Sequence, residues 1–182
     1  MSDLKEQLCT KEKDSLEKLY RKVKGYAALH NIRLGACEST KKEARVDWIA
    51  SAMERKEILQ ALISDLRAGE SACLGYVYES GGFGEYIRIE PYWKETGLIY
   101  TVTDHEGFEH GVMTDVLMDF LRNDDANFLS QIRTSSFINS TVCAMTNLYG
   151  AVPYAKAYDI FQEITVMHQN VAYETFVETA TR

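Results

Sequence analysis

Two imidazoles and three carboxylates fall within seven residues, Asp104-His105-Glu106-Gly107-Phe108-Glu109-His110, the best local candidate in this chain for holding a divalent metal. Zinc takes three or four such ligands in tetrahedral array, so the loop would need at least one more from elsewhere. Its spacing matches no recognised ligand motif, and a solvated polar loop explains the same residues. A metal-dependent enzyme built on the His105–His110 loop is therefore kept only as an alternative, and no cofactor is expected. The four cysteines, Cys9, Cys37, Cys73 and Cys143, lack the Cys-x-x-Cys spacing of zinc knuckles and redox motifs and are expected as free thiols, most of them buried. Cys143, between Val142 and Ala144, reads as core rather than nucleophile. Pairing a thiol with His30, His105, His110 or His168 finds no recognisable nucleophile context. Gly81-Gly82-Phe83-Gly84 could be compared with a phosphate-covering loop, but the third glycine of that pattern would fall on Ile87. A hairpin turn using positive φ is the expected role of these glycines. On these grounds the chain reads as non-enzymatic.

Charge is distributed unevenly. Residues 1–69 hold 14 Lys and Arg against 11 Asp and Glu, a net of +3, whereas residues 70–182 hold 6 against 16, a net of −10. Two different electrostatic surfaces follow, because summed charge steers partners beyond single contacts. On the acidic side, Asp104, Glu106 and Glu109 share the glycine-containing loop, Asp115 and Asp119 stand at i, i+4 on a helix face, and Asp124 and Asp125 lie at the next helix boundary. Capping also explains the last two. Like charges at i, i+4 cost roughly 0.2–0.5 kcal/mol, so Asp115 and Asp119 are expected to bring no local stability and to suit a groove lined with arginine and lysine. On the basic side, Lys18, Arg21 and Lys22, with Lys11, Lys13 and Lys24 nearby, could lie along phosphates. Glu12, Asp14 and Glu17 interrupt them, and the outer face of an amphipathic helix carries such cations without any ligand.

These groups need elements to position them. Leu16, Leu19, Tyr20, Val23, Tyr26 and Ala27 recur at helical spacing from Thr10 to about Asn31. Thr40-Lys41-Lys42-Glu43 reads as a capping box opening a second helix on Val46, Ile49, Ala50 and Met53. Ile58, Leu59, Leu62, Ile63 and Leu66 mark a third, stopped at Gly69. The period then changes. Leu74–Tyr78 and Glu85–Ile89 read as a hairpin around Ser80–Gly84, and Leu98–Thr103 as a third strand, a small antiparallel sheet at about residues 73–103. Helical spacing returns from Val112 to Leu121, in Phe128, Leu129 and Ile132, and from Phe137 to Leu148, where Gly150 ends it. Pro153 suits the first position of a further helix through Ile164, and a short one runs from Val171 to Thr179. The expected fold is α+β, with a helical, mildly basic N-terminal region at 1–69 and an acidic α+β domain at 70–182 whose C-terminal part is mainly helical.

The segment Thr146-Asn147-Leu148-Tyr149-Gly150-Ala151-Val152-Pro153, followed by Tyr158-Asp159-Ile160-Phe161, resembles a helix–glycine–proline–helix signature of uncharacterised proteins from Gram-positive bacteria and their mobile elements. In those proteins a helical region similar to residues 36–68 often stands upstream; the resemblance implies no activity. By type rather than by motif, a small, acidic, catalytically bare chain is similar to phage-encoded anti-CRISPR inhibitors of type II RNA-guided nucleases, which implies binding to a basic nucleic-acid-handling protein as a nucleic-acid mimic. It carries over no functional residue. The N-terminal helices keep a nucleic-acid-binding regulator as the alternative. No signal peptide or run of about 18 apolar residues is read, so a cytoplasmic setting in a bacterial host is expected, without a membrane partner. Oligomeric state stays open.

Overall fold

A computed structural model describes residues 3–37, 39–64, 66–85, 87–123, 127–164 and 171–181. The fold is α+β, helical at both ends around a three-stranded antiparallel sheet. Helix α1 (Asp3–Thr10) precedes the first expected helix, and its apolar pair Leu4 and Leu8 is fully buried. Two apolar positions at i, i+4 form one contact stripe but are too few to register as a period. Helix α2 (Lys13–Leu29) buries Leu16, Leu19, Val23 and Ala27, the stripe the sequence displays. Helix α3 (Lys42–Met53) starts after Lys41, with no side-chain cap bond from that residue. The expected capping box on Thr40 and Glu43 is thus replaced. Ser39 Oγ accepts the Lys41 N–H at 3.2 Å, meeting the same need for an acceptor one residue earlier. Helix α4 (Lys56–Ser64) buries Ile58, Leu59, Leu62 and Ile63.

The largest correction concerns residues 68–79. Leu74–Tyr78, expected as a strand, lies inside helix α5 (Ala68–Glu79), and Gly69 sits in its first turn rather than stopping a helix. Burial decides against the local β-propensity of Tyr76, Val77 and Tyr78. Cys73, Leu74 and Val77 share one face and are at most 4% exposed, a pattern only helical spacing provides. Glu70 accepts the Arg67 N–H at 2.7 Å and secures the N-terminus. Gly81, at φ 76°, then breaks the helix, and the Gly82 N–H reaches Val77 O at 2.8 Å. Gly81 and Gly82 serve positive φ as expected, but they link a helix to a strand, and Gly84 lies within that strand without positive φ.

That strand is β1 (Phe83–Gly84). It pairs with β3 (Glu109–Met113), which also pairs with β2 (Ile99–Thr103), giving the order β1-β3-β2. The central strand therefore lies beyond the expected window, and Val112 is in a strand rather than a helix. Of the expected strand at 85–89, residues 87–89 form no regular element and Tyr86 lies outside the described residues. Between β1 and β2, Pro91 opens helix α6 (Pro91–Thr96), which Gly97 ends at φ 75°. Helix α7 (Asp115–Asn123), α8 (Asn127–Tyr149), α9 (Tyr154–Ile164) and α10 (Tyr173–Ala180) complete the chain. Gly150 ends α8 at φ 73°, and Pro153 stands one residue ahead of α9 rather than opening it.

One cluster of buried side chains runs from Leu4 to Ile132, continuous across residue 69. A second, of Ile138, Met145, Ala157, Phe161, Val171 and Phe176, joins the C-terminal half of α8 to α9 and α10. All four thiols are unbridged, but only Cys73 is buried; Cys9 and Cys143 are exposed and Cys37 is half-buried. The expected core placement of Cys143 fails because it lies on the solvent side of α8, while Met145 and Ile138 point into the second cluster.

Candidate functional site

Side chains alternate across a strand, so burial of a few assigns the rest. Ile99 and its partner Met113 are 0% and 5% exposed and face the core. Gly111 faces the same way, since a Cβ there would lie 2.3 Å from Ile89 Cδ1 and only glycine fits. The opposite face therefore carries Tyr100, Val102, His110, Val112 and Phe83, with Val112 between Tyr100 and Phe83 and Val102 opposite His110. Phe83 and Val102 are 43% and 37% exposed, and Phe108 of the β2–β3 loop is 48% exposed. The Phe83 ring stacks on His110 at 5.2 Å between centroids. The outer face of the sheet is thus largely apolar, half-buried at Tyr100 and Val112 and exposed at Phe83 and Val102.

Carboxylates stand at both ends of this face. At the loop end, Asp104 accepts the backbone N–H groups of Glu106 and Phe108, each at 2.9 Å, and His110 Nε2 lies 2.9 Å from its other oxygen. These contacts, the His110 bond first and the Phe108 N–H next, hold the Asp104 carboxyl below its ordinary range. Asp104 shapes the loop, and Glu106 is left projecting from it in an exposed position. Glu109 is also exposed but lies 3.6 Å from Lys94 of α6. At the other end of the hairpin, about 14 Å away by strand rise, Asp3 of α1 accepts the backbone N–H of Asp115 at 2.9 Å. Burial, followed by the charges of Asp3, Asp115 and Glu6, raises the Tyr100 phenol above its ordinary value. Asp119, one turn along α7, is exposed beside a cleft of about 310 Å³ that it shares with Glu54, Lys56 and Asn123 over Leu59, Val116 and Phe120.

Of the acidic residues picked out by spacing, Asp104, Glu106 and Asp115 thus fall at the two ends of one sheet face and Asp119 on its flank, whereas Glu109, on the same side of β3 as Gly111 and Met113, is directed to the opposite face beside Lys94. Asp124 and Asp125 lie outside the described residues. The expectation that Asp115 gains nothing structurally is corrected. It occupies the first turn of α7, where negative charge meets the positive end of the helix dipole. Asp3 and Glu6 were not expected at the site. Asp3 reaches Asp115 across 112 residues of sequence, a contact no local pattern announces.

At about 100° per residue, Lys18, Arg21 and Lys22 lie together on the side of α2 away from its buried residues, and Lys13 and Lys24 extend the set round the helix. Lys22 Nζ sits 4.0 Å over the Tyr92 ring, and Lys11 Nζ donates to Lys94 O. Burial lowers the pKa of both amines. Lys24 leans toward Tyr20, and Arg21 pairs with Glu17 at 3.1 Å. Lys13 and Lys18 are exposed.

The two imidazoles of the loop diverge. His110 is 7% exposed and turned toward Phe83 and Asp104, whereas the His105 side chain is 90% exposed. Among the described residues no group of three or more His, Cys, Asp or Glu side chains is placed to hold a metal ion, and His168 lies outside them. No described helix is long and apolar enough to cross a membrane. Comparison with protein families, curated proteins and solved structures found no match to this chain.

Proposed function

We propose that the protein is a non-catalytic inhibitor or adaptor that binds a basic surface of a nucleic-acid-handling protein in a bacterial cytoplasm, and in its sharpest form blocks a type II RNA-guided DNA nuclease. One observation carries this reading: an apolar sheet face of Phe83, Tyr100, Val102 and Val112, exposed at Phe83 and Val102, has Asp104 and Glu106 at one end and Asp3, Glu6 and Asp115 at the other. Protein interfaces are built this way, with an apolar, aromatic centre supplying affinity and a charged rim supplying specificity and approach rate. An acidic rim repels phosphates, which disfavours nucleic acid as the direct ligand of this face. It complements the arginine- and lysine-rich channels in which such nucleases hold guide and target. A regulator contacting nucleic acid through α2 is less supported, because several of its cations are engaged within the fold.

The test is DNA cleavage by several type II RNA-guided nucleases titrated with this protein, beside a variant carrying Glu106→Lys, Glu109→Lys, Asp115→Lys and Asp119→Lys. The native chain is expected to inhibit at least one of them. The variant should lose roughly tenfold or more in potency, first through a slower association rate. Equal inhibition by the variant would remove the acidic-face mechanism, and no inhibition of any nuclease by the native chain would remove the nuclease as partner.

A further inference from the structure

The strand order β1-β3-β2 leaves one side of β2 without a strand neighbour. Which backbone groups face that side follows from two hydrogen bonds. The Thr114 N–H donates to Leu98 O at 2.9 Å, and the Asp104 N–H donates to Phe108 O at 3.1 Å, closing the β2–β3 ladder at its two ends. In an antiparallel pair, residues two apart point their N–H and C=O the same way. Leu98, Tyr100, Val102 and Asp104 therefore face β3, and Ile99, Thr101 and Thr103 face outward. Ile99 is fully buried, which closes that end, but Thr101 is half-buried and Thr103 exposed. No backbone group elsewhere among the described residues bonds the outward groups of Thr101 and Thr103.

Free edges are ordinarily shielded by a charge, a proline or a bulge. β2 reads Ile-Tyr-Thr-Val-Thr, in unbroken register with β3, and has none of these. We infer that the Thr101–Thr103 edge takes up an extended cationic segment of a partner protein as a fourth strand, an inference that rests on the acidic-face reading above. A guest strand there continues the outer face, so its alternate side chains fall beside Tyr100 and Val102. Its end beside Thr103 then approaches Asp104 and Glu106, which selects lysine and arginine there. A second copy of this chain is disfavoured as the guest, because pairing edge to edge would bring two acidic rims together in a molecule of net charge −7.

The probe is a blocked synthetic peptide of alternating lysine and valine, added to the full chain at low salt, with amide hydrogen exchange read residue by residue. Exchange at Thr101 and Thr103 should slow by about tenfold on saturation, while Tyr100 and Val102, already in the ladder, change little. Thr103→Pro, which removes one outward N–H and none facing β3, should weaken peptide binding by about tenfold. Peptide binding without protection at Thr101 and Thr103 would overturn the edge and leave the acidic face standing. Protection at both that is indifferent to salt and to Glu106→Lys would keep the edge and remove the acidic-face reading. Absence of any peptide binding, or protection that grows with protein concentration alone, overturns the inference, the latter by seating a second copy on the edge.

Discussion

The two apolar clusters are built from the same kinds of residue to different depth. The first gathers side chains from α1 to the start of α8 and closes over Trp93, fully buried with its Nε1–H donated to Glu70 O at 2.9 Å. The second has six buried side chains among the described residues, fed by three helices, and leaves Leu148, Tyr149 and Ile164 well exposed around it. Helix α8 belongs to both, with Ile132 in one and Ile138 in the other. Arg133 lies near that boundary. Its guanidinium crosses α5 over Gly75 to reach Glu79 at 2.6 Å, a half-exposed pair that contributes little energy. The candidate site draws its side chains entirely from the first region. Stability is therefore expected to be uneven along the chain, high where the site is built and lower beyond residue 137.

Truncation in each core separates the two. Trp93→Ala and Phe176→Ala both delete a fully buried ring, at a nominal cost of about 3–5 kcal/mol. Against total stabilities of about 5–15 kcal/mol, the first change is expected to unfold the whole chain at moderate temperature. The second should open only its own cluster, with exchange protection lost across α9, α10 and the end of α8 and retained in α2, α4 and β3. A single cooperative loss of protection in Phe176→Ala would show that the two clusters fold as one unit.

The assignment of sheet faces predicts a smaller effect. At Gly111 an added methyl group meets Ile89 and Ile87 beneath the sheet, so Gly111→Ala should cost about 1–3 kcal/mol by overpacking. Val102→Thr, on the outer face, should change the unfolding midpoint little. Equal effects at the two positions would invert the face assignment and with it the candidate site. This face was only partly legible in the sequence. The α2 stripe is visible because four apolar positions repeat at helical spacing, and the carboxylates of the β2–β3 loop are visible because they are local. Val112, in contrast, continues into the apolar spacing of α7, so the central strand merges with the following helix. Tyr76, Val77 and Tyr78 favour a strand locally, and only their tertiary packing makes them helical. Asp3 and Glu6 join the site through an α1 docking that two leucines direct, too short a pattern to read.

The smallest expected effect tests whether the electrostatics of the site are confined to the first region. Burial and the charges of Asp3, Asp115 and Glu6 raise the Tyr100 pKa, so the folded state favours the neutral phenol. A raised folded value contributes stability that is fully present below the unfolded tyrosine value of about 10 and is lost as pH rises through the folded value. Tyr100 titration can be isolated as the difference in phenolate absorbance between the native chain and Tyr100→Phe. Asp3→Asn removes the largest of the charge contributions while keeping an oxygen for the Asp115 N–H, and should move the Tyr100 pKa down toward the ordinary value. Phe176→Ala should leave it in place, because every charge that shifts it comes from α1 or α7. If Phe176→Ala lowers the Tyr100 pKa as far as Asp3→Asn does, the second cluster supports the geometry of the acidic end, and the contrast between the regions fails where the site is concerned.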